Sequence, residues 1–135
     1  MKDLYTARVT VTSGRDGGAR SSDGRLELRL ALPTELGGSG NASNPEQLFV
    51  AGYAACFASS IKAVAHARDL AIGQLTIDAE GVLTVRDDGS YIVSRVVPSV
   101  DGAGPSGPAV IDEAKRVCAY SNATRGNVIT EVILT

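Results

Sequence analysis

The tightest constraint on this chain is a helix-start signal that opens into a long uncharged run. Asn44 suits an N-cap, Pro45 the first helical position and Glu46 the first turn. From Gln47 to Ile61, 15 residues, nothing is charged. No proline follows and alanine is frequent, so the pattern predicts one helix from Pro45 to about Leu70. Between Leu48 and Ala58 it is apolar nearly all round, which marks it as the buried centre of a fold. A membrane span needs about 20 apolar residues, so a core helix is expected and a membrane partner is not. Lys62, His66, Arg68 and Asp69 return its far end to solvent.

The flanking segments read as strands. Residues 4–12 alternate, and Arg25-Leu26-Glu27-Leu28-Arg29-Leu30-Ala31-Leu32 keeps period two, with leucines on one face. Between them, residues 13–24 carry Gly, Ser and Asp at turn frequency, so a long-looped hairpin is expected. Residues 74–86 and 91–100 form a second hairpin about Asp87-Asp88-Gly89-Ser90. After a Gly/Pro-rich loop, Pro108 opens a short helix that ends at Cys118, and residues 127–134 close as a strand. The order β-β-α-β-β-α-β predicts an α+β fold with a mainly antiparallel sheet. With 135 residues and no internal repeat, residues 1–135 are expected to form one domain.

Composition narrows the partners. A net charge of −2 and a pI near 5.3, with no basic stripe, argue against nucleic acid. The first eight residues hold no apolar leader, so a reducing cytoplasmic setting is expected, where a standing structural disulfide is disfavoured. Two Phe, four Tyr and no Trp give a modest core, which favours oligomerisation as a way to bury more surface.

Two cysteines, Cys56 and Cys118, carry the candidate chemistry. Tetrahedral zinc wants three or four Cys/His ligands, and two cysteines with one distant histidine do not supply them, so no metal is expected. His66 lies ten residues beyond Cys56 on the same helix, about 15 Å of rise, too far to serve as its base. Two readings of Cys56 stand side by side: a small buried hydrophobe, or a reactive thiol. A reactive thiol needs a cation, and Arg15 sits at the tip of a Gly-rich turn. Glu46 serves either the helix dipole or a bidentate pair with an arginine. Gly14-Arg15-Asp16-Gly17-Gly18 joins strand to strand, so it is no phosphate loop.

Asn44-Pro45-Glu46-Gln47-Leu48-Phe49, running into Ala51-Gly52-Tyr53-Ala54-Ala55-Cys56-Phe57, resembles the organic hydroperoxide resistance proteins of the osmotically inducible protein C superfamily. So does Cys118-Ala119-Tyr120-Ser121-Asn122-Ala123-Thr124-Arg125-Gly126-Asn127. The likeness covers essentially the whole chain, including the Arg15 turn. It implies an intertwined homodimer, its sheets wrapped around long buried central helices, with sites at the subunit interface. It further implies a cofactor-free thiol peroxidase that takes organic hydroperoxides and is recycled by a lipoylated protein or another dithiol. On the matching positions, Cys56 is the peroxidatic cysteine and Cys118 the resolving one. Arg15 activates the thiolate and Glu46 positions the arginine. Ala119 stands where the family usually carries proline.

On that reading Phe49, Tyr53 and Phe57 are expected to line the substrate site, favouring alkyl peroxides over hydrogen peroxide. One geometric expectation follows from spacing. Glu46 and Cys56 are ten residues apart, about 15 Å along a straight helix. One arginine cannot serve both from there, so either the helix breaks near Gly52 or one site takes the two residues from different subunits. The rival is a peroxide sensor or small-ligand-binding protein whose cysteines oxidise without turnover.

Overall fold

A computed structural model describes residues 1–135, and the chain divides into two compact units, Met1–Leu48 and Phe49–Thr135.

The first unit holds a three-stranded antiparallel meander of β1 (Val9–Thr12), β2 (Gly18–Ser21) and β3 (Glu27–Arg29), in that order. Val9 pairs with Ser21 and Thr12 with Gly18, while Arg20 pairs with Glu27. The expected hairpin is therefore wrong by one strand. Residues 18–21 read as turn because of their Gly and Ser, but partners on both sides supply the backbone bonds that propensity does not. Gly17 makes the β1–β2 turn possible, since a Cβ there would lie 1.7 Å from the Thr12 carbonyl oxygen. The second turn is tied by Ser21, whose hydroxyl accepts from the Leu26 N–H at 2.9 Å and donates to Asp23 at 2.6 Å. β1 is shorter than the pattern suggested and all four of its residues are exposed.

The helix α1 (Pro45–Ala67) begins at the end of this unit and is unbroken through Gly52. Its start is a reciprocal capping box. Gln47 N–H donates to Asn44 Oδ1 at 2.9 Å, and Asn44 N–H donates to Gln47 Oε1 at 3.3 Å. By length and composition alone α1 could cross a membrane. Here Tyr53, Phe57, Ile61, Val64 and Ala65 bury one stripe of it. The opposite stripe, Ala51, Ala55, Ser59, Lys62 and His66, is exposed in the single chain. The helix expected to be buried all round is covered on one face.

In the second unit β4 (Thr76–Val85) and β5 (Tyr91–Asp101) form an antiparallel hairpin with a bulge between Val82 and Leu83. The closing segment is two short strands rather than one, β6 (Ile129–Thr130) and β7 (Ile133–Leu134), both parallel to β5. Val96, Pro98 and Val100 point to the core with period two. The helix α2 (Gly107–Val117) buries Gly107, Val110, Ile111 and Ala114. Cys118 continues that series one turn later and is fully buried. A six-residue helix, α3 (Ala119–Thr124), follows immediately and was not foreseen. Tyr53, Phe57, Ile61, Val96, Val100, Val110 and Cys118 form the centre of one core. Each fully buried large apolar side chain there contributes roughly 1.5–3 kcal/mol.

Candidate active site

Cys56 is half-buried on α1, and its Sγ lies 3.3 Å from that of Cys118. Both are thiols here, so a disulfide of about 2.05 Å would need the sulfurs to close by about 1.3 Å. Sequence positions 62 apart are brought together because α1 and α2 bury their apolar faces in the same core.

Cys118 occupies a junction. Its N–H donates to the Ala114 carbonyl and ends α2, while its Sγ accepts from the Ser121 N–H at 3.5 Å and begins α3. The backbone changes to φ −70°, ψ 124° at this residue, which separates the two helices. Burial pushes the Cys118 thiol up. The Ser121 N–H and hydroxyl, the hydrogen bond with Cys56 and the Tyr120 N–H together outweigh burial, and the thiol falls below the ordinary cysteine value.

Ser121 is itself held. It is buried, and its Oγ is hydrogen-bonded to the Tyr53 hydroxyl at 3.0 Å. Tyr53 is also buried, and its ring meets Tyr120 edge-on at 6.2 Å. Phe49 meets Tyr120 at 6.3 Å, also edge-on. Sequence reasoning missed Tyr120, although it falls inside the second motif, two residues after Cys118. Gly52 explains how Tyr120 reaches α1: a Cβ at 52 would lie 2.6 Å from the Tyr120 hydroxyl. That close approach, and not a helix break, is what the glycine permits. Of the three aromatics expected near substrate, Phe57 is wholly buried in the core and Tyr53 nearly so; Phe49 is half-buried.

Arg15 and Glu46 form a bidentate pair within the first unit. Arg15 Nη1 donates to Oε2 at 2.7 Å and Nη2 to Oε1 at 2.6 Å. The Arg15 hydrogen bond holds the Glu46 carboxyl below the ordinary carboxylate range, against a smaller opposing effect of burial. This geometry supplies charge-assisted, planar recognition that fixes the guanidinium. His66 is exposed at the far end of α1.

The α+β chain thus carries one cysteine on its longest helix, met by a second at a helix–helix junction. Residues 38–132 match the family model described as OsmC-like protein. An organic hydroperoxide resistance protein of Xanthomonas axonopodis pv. citri (strain 306) is 47% identical over 132 residues, covering 94% of this chain and 92% of the relative. The crystal structure of an organic hydroperoxide resistance protein from Legionella pneumophila superposes with a TM-score of 0.93 at 39% identity, covering 99% of each chain. That of OhrB from Bacillus subtilis gives 0.87 at 34%, covering 98% of this chain and all of the other. The chain belongs to the OsmC-like family, among its organic hydroperoxide resistance proteins.

Proposed function

We propose that this protein is a cysteine-based peroxidase that reduces organic hydroperoxides, the role named in its relatives, and that it works in the cytoplasm. The observation that carries this reading is the 3.3 Å separation of the Cys56 and Cys118 sulfurs. In the first step the Cys56 thiolate attacks the distal peroxide oxygen. An S–O bond forms, the O–O bond breaks, and the leaving alkoxide takes a proton to become an alcohol. Cys56 is then a sulfenic acid. The Cys118 thiolate attacks that sulfur next; the S–S bond forms, and hydroxide leaves and is protonated to water. A dithiol, such as a lipoyl group carried on a protein, restores both thiols and is itself oxidised to a disulfide. No metal or organic cofactor enters the cycle.

Arg15 is the residue proposed to stabilise the thiolate, held flat by Glu46. The continuity of α1 from Pro45 to Ala67 supports the inter-subunit option of the two that spacing leaves open. Each Cys56 is accordingly served by the Arg15–Glu46 pair of a second copy in a homodimer, residues 1–135 acting as one functional domain. The exposed stripe of small residues on α1 and the exposed Val9 and Val11 of β1 are surfaces that a second copy would cover. Phe49 and Tyr120, with Tyr53 behind them, give the alkyl group an apolar wall.

The test is consumption of an alkyl hydroperoxide with dihydrolipoamide, comparing wild type with Cys56→Ser and Cys118→Ser. Turnover in wild type and its loss in both variants is expected. Wild-type oxidation without turnover would move the protein to the sensor class.

A further inference from the structure

The two sulfurs are chemically unequal, and that inequality sets the direction of the reductive step. This inference rests on the disulfide cycle above but concerns a step which that reading leaves open. We propose that the reductant's thiolate attacks Cys56 Sγ, that Cys118 is always the leaving sulfur, and that Ser121 and Tyr53 are positioning residues for its departure.

Access is the first argument. Thiol–disulfide exchange needs approach to the attacked sulfur, along the S–S axis from the side away from the leaving one. Cys118 is fully buried, behind the core face that includes Val110 and Ala114. Cys56 is only partly buried. The second argument is the fate of the charge. When the S–S bond breaks, its electron pair goes to the leaving sulfur, and exchange is faster when that sulfur is stabilised as thiolate. The Ser121 N–H already points at Cys118 Sγ at 3.5 Å, and the Ser121 side chain is pinned by Tyr53 at 3.0 Å. Cys56 lies inside α1, where backbone N–H groups are committed to the carbonyls four residues earlier.

The step balances. The reductant's first thiolate forms a bond to Cys56 Sγ as the Cys56–Cys118 bond breaks, leaving Cys118 as thiolate. The reductant's second thiol, losing its proton, attacks its own sulfur in the mixed disulfide. The reductant leaves as a cyclic disulfide and Cys56 returns as thiolate; no other electron donor is needed. Cys118 never carries an adduct.

The experiment oxidises the full chain with diamide instead of a peroxide, so its outcome does not depend on peroxidase activity. Glutathione, a monothiol that cannot complete the second step, is then added. Free thiols are alkylated, and the adduct is mapped by peptide mass spectrometry. Glutathione on Cys56, with Cys118 alkylated, is expected in more than tenfold excess. Adduct on Cys118, equal labelling of both, or failure of diamide to form the disulfide would overturn the proposal. Adduct on Cys56 in a protein that never turns over hydroperoxide would keep it while sinking the peroxidase reading.

Tyr53→Phe isolates the positioning role, because it removes only the hydroxyl that holds Ser121. Glutathione attack on the disulfide should slow roughly threefold or more as the leaving thiolate loses stabilisation. The Cys118 thiolate, titrated by ultraviolet absorbance in a Cys56→Ser background, should appear at higher pH when Tyr53→Phe is added. An unchanged titration and an unchanged exchange rate would show Tyr53 to be structural only.

Discussion

The two units hold their paired groups in opposite ways. In residues 49–135 the sulfurs lie at the edge of a dry core, one of them fully buried, with each neighbour fixed by another. In residues 1–48 the Arg15–Glu46 pair has short, well-aligned bonds but an arginine side chain 40% exposed, at a turn of a sheet whose first strand faces solvent. One pair sits against packed apolar side chains, the other is aligned by a two-bond carboxylate–guanidinium match. The difference teaches that alignment and burial are separate properties: the Arg15–Glu46 bonds are short and paired, yet the arginine is far less buried than Cys118.

The largest expected effect tests where the stability lies. Phe57→Ala removes a ring at the centre of the second unit's core and should cost about 3–5 kcal/mol, read from the denaturation midpoint. A loss below about 1 kcal/mol would mean the core is not where the packing places it.

Breaking the other pair should leave stability nearly unchanged and reduce activity. Glu46→Gln keeps the shape of the carboxylate and removes its charge. We expect kcat/KM for an alkyl hydroperoxide to fall about tenfold, or about 1.4 kcal/mol, while the denaturation midpoint hardly moves. Unchanged kcat/KM would detach this pair from the cysteine chemistry. Acid should act in the same direction. Because folding lowers the Glu46 carboxyl from its ordinary value of 4.5, the pair's stabilisation is full above that pH. It is lost as pH falls through the lowered value, so acid inactivation through this pair begins only below 4.5.

The smallest effect sharpens the comparison at Cys118. Ala119 is the first residue of α3, a position that suits proline, and Cys118 before it already has the extended ψ of 124° that a following proline requires. Ala119→Pro should therefore stabilise by about 0.4–1 kcal/mol, visible as a small rise in Tm. Destabilisation would show that the junction depends on freedom at residue 119.

The sequence made α1 legible because several signals agreed there: an N-cap, a proline at the first helical position, a glutamate in the first turn and an uncharged run. The Asn44/Gln47 reciprocity completes that agreement. β2 was hidden because Gly17, Gly18 and Ser21 have turn propensity, and only pairing on both sides makes residues 18–21 a strand. α3 was hidden because six residues are too few to show a helical period. The cysteines and the Arg15–Glu46 contact were visible as residue types at telling positions. Tyr120 and Ser121 were not singled out as site residues, because both meet Tyr53, 67 and 68 positions away. Phe57 could not be told from Phe49 by pattern, since α1 is apolar on every side there.

The placement of Tyr53 and Tyr120 also bears on how the molecule can be watched. The chain has no tryptophan, so its ultraviolet emission comes from four tyrosines alone, and two of those rings adjoin the elements that bring the sulfurs together. A disulfide accepts an electron from an excited phenol ring readily, whereas a pair of thiols does so poorly. The protein thus carries its own optical indicator: oxidation should dim its emission and reduction restore it, with no dye or label attached.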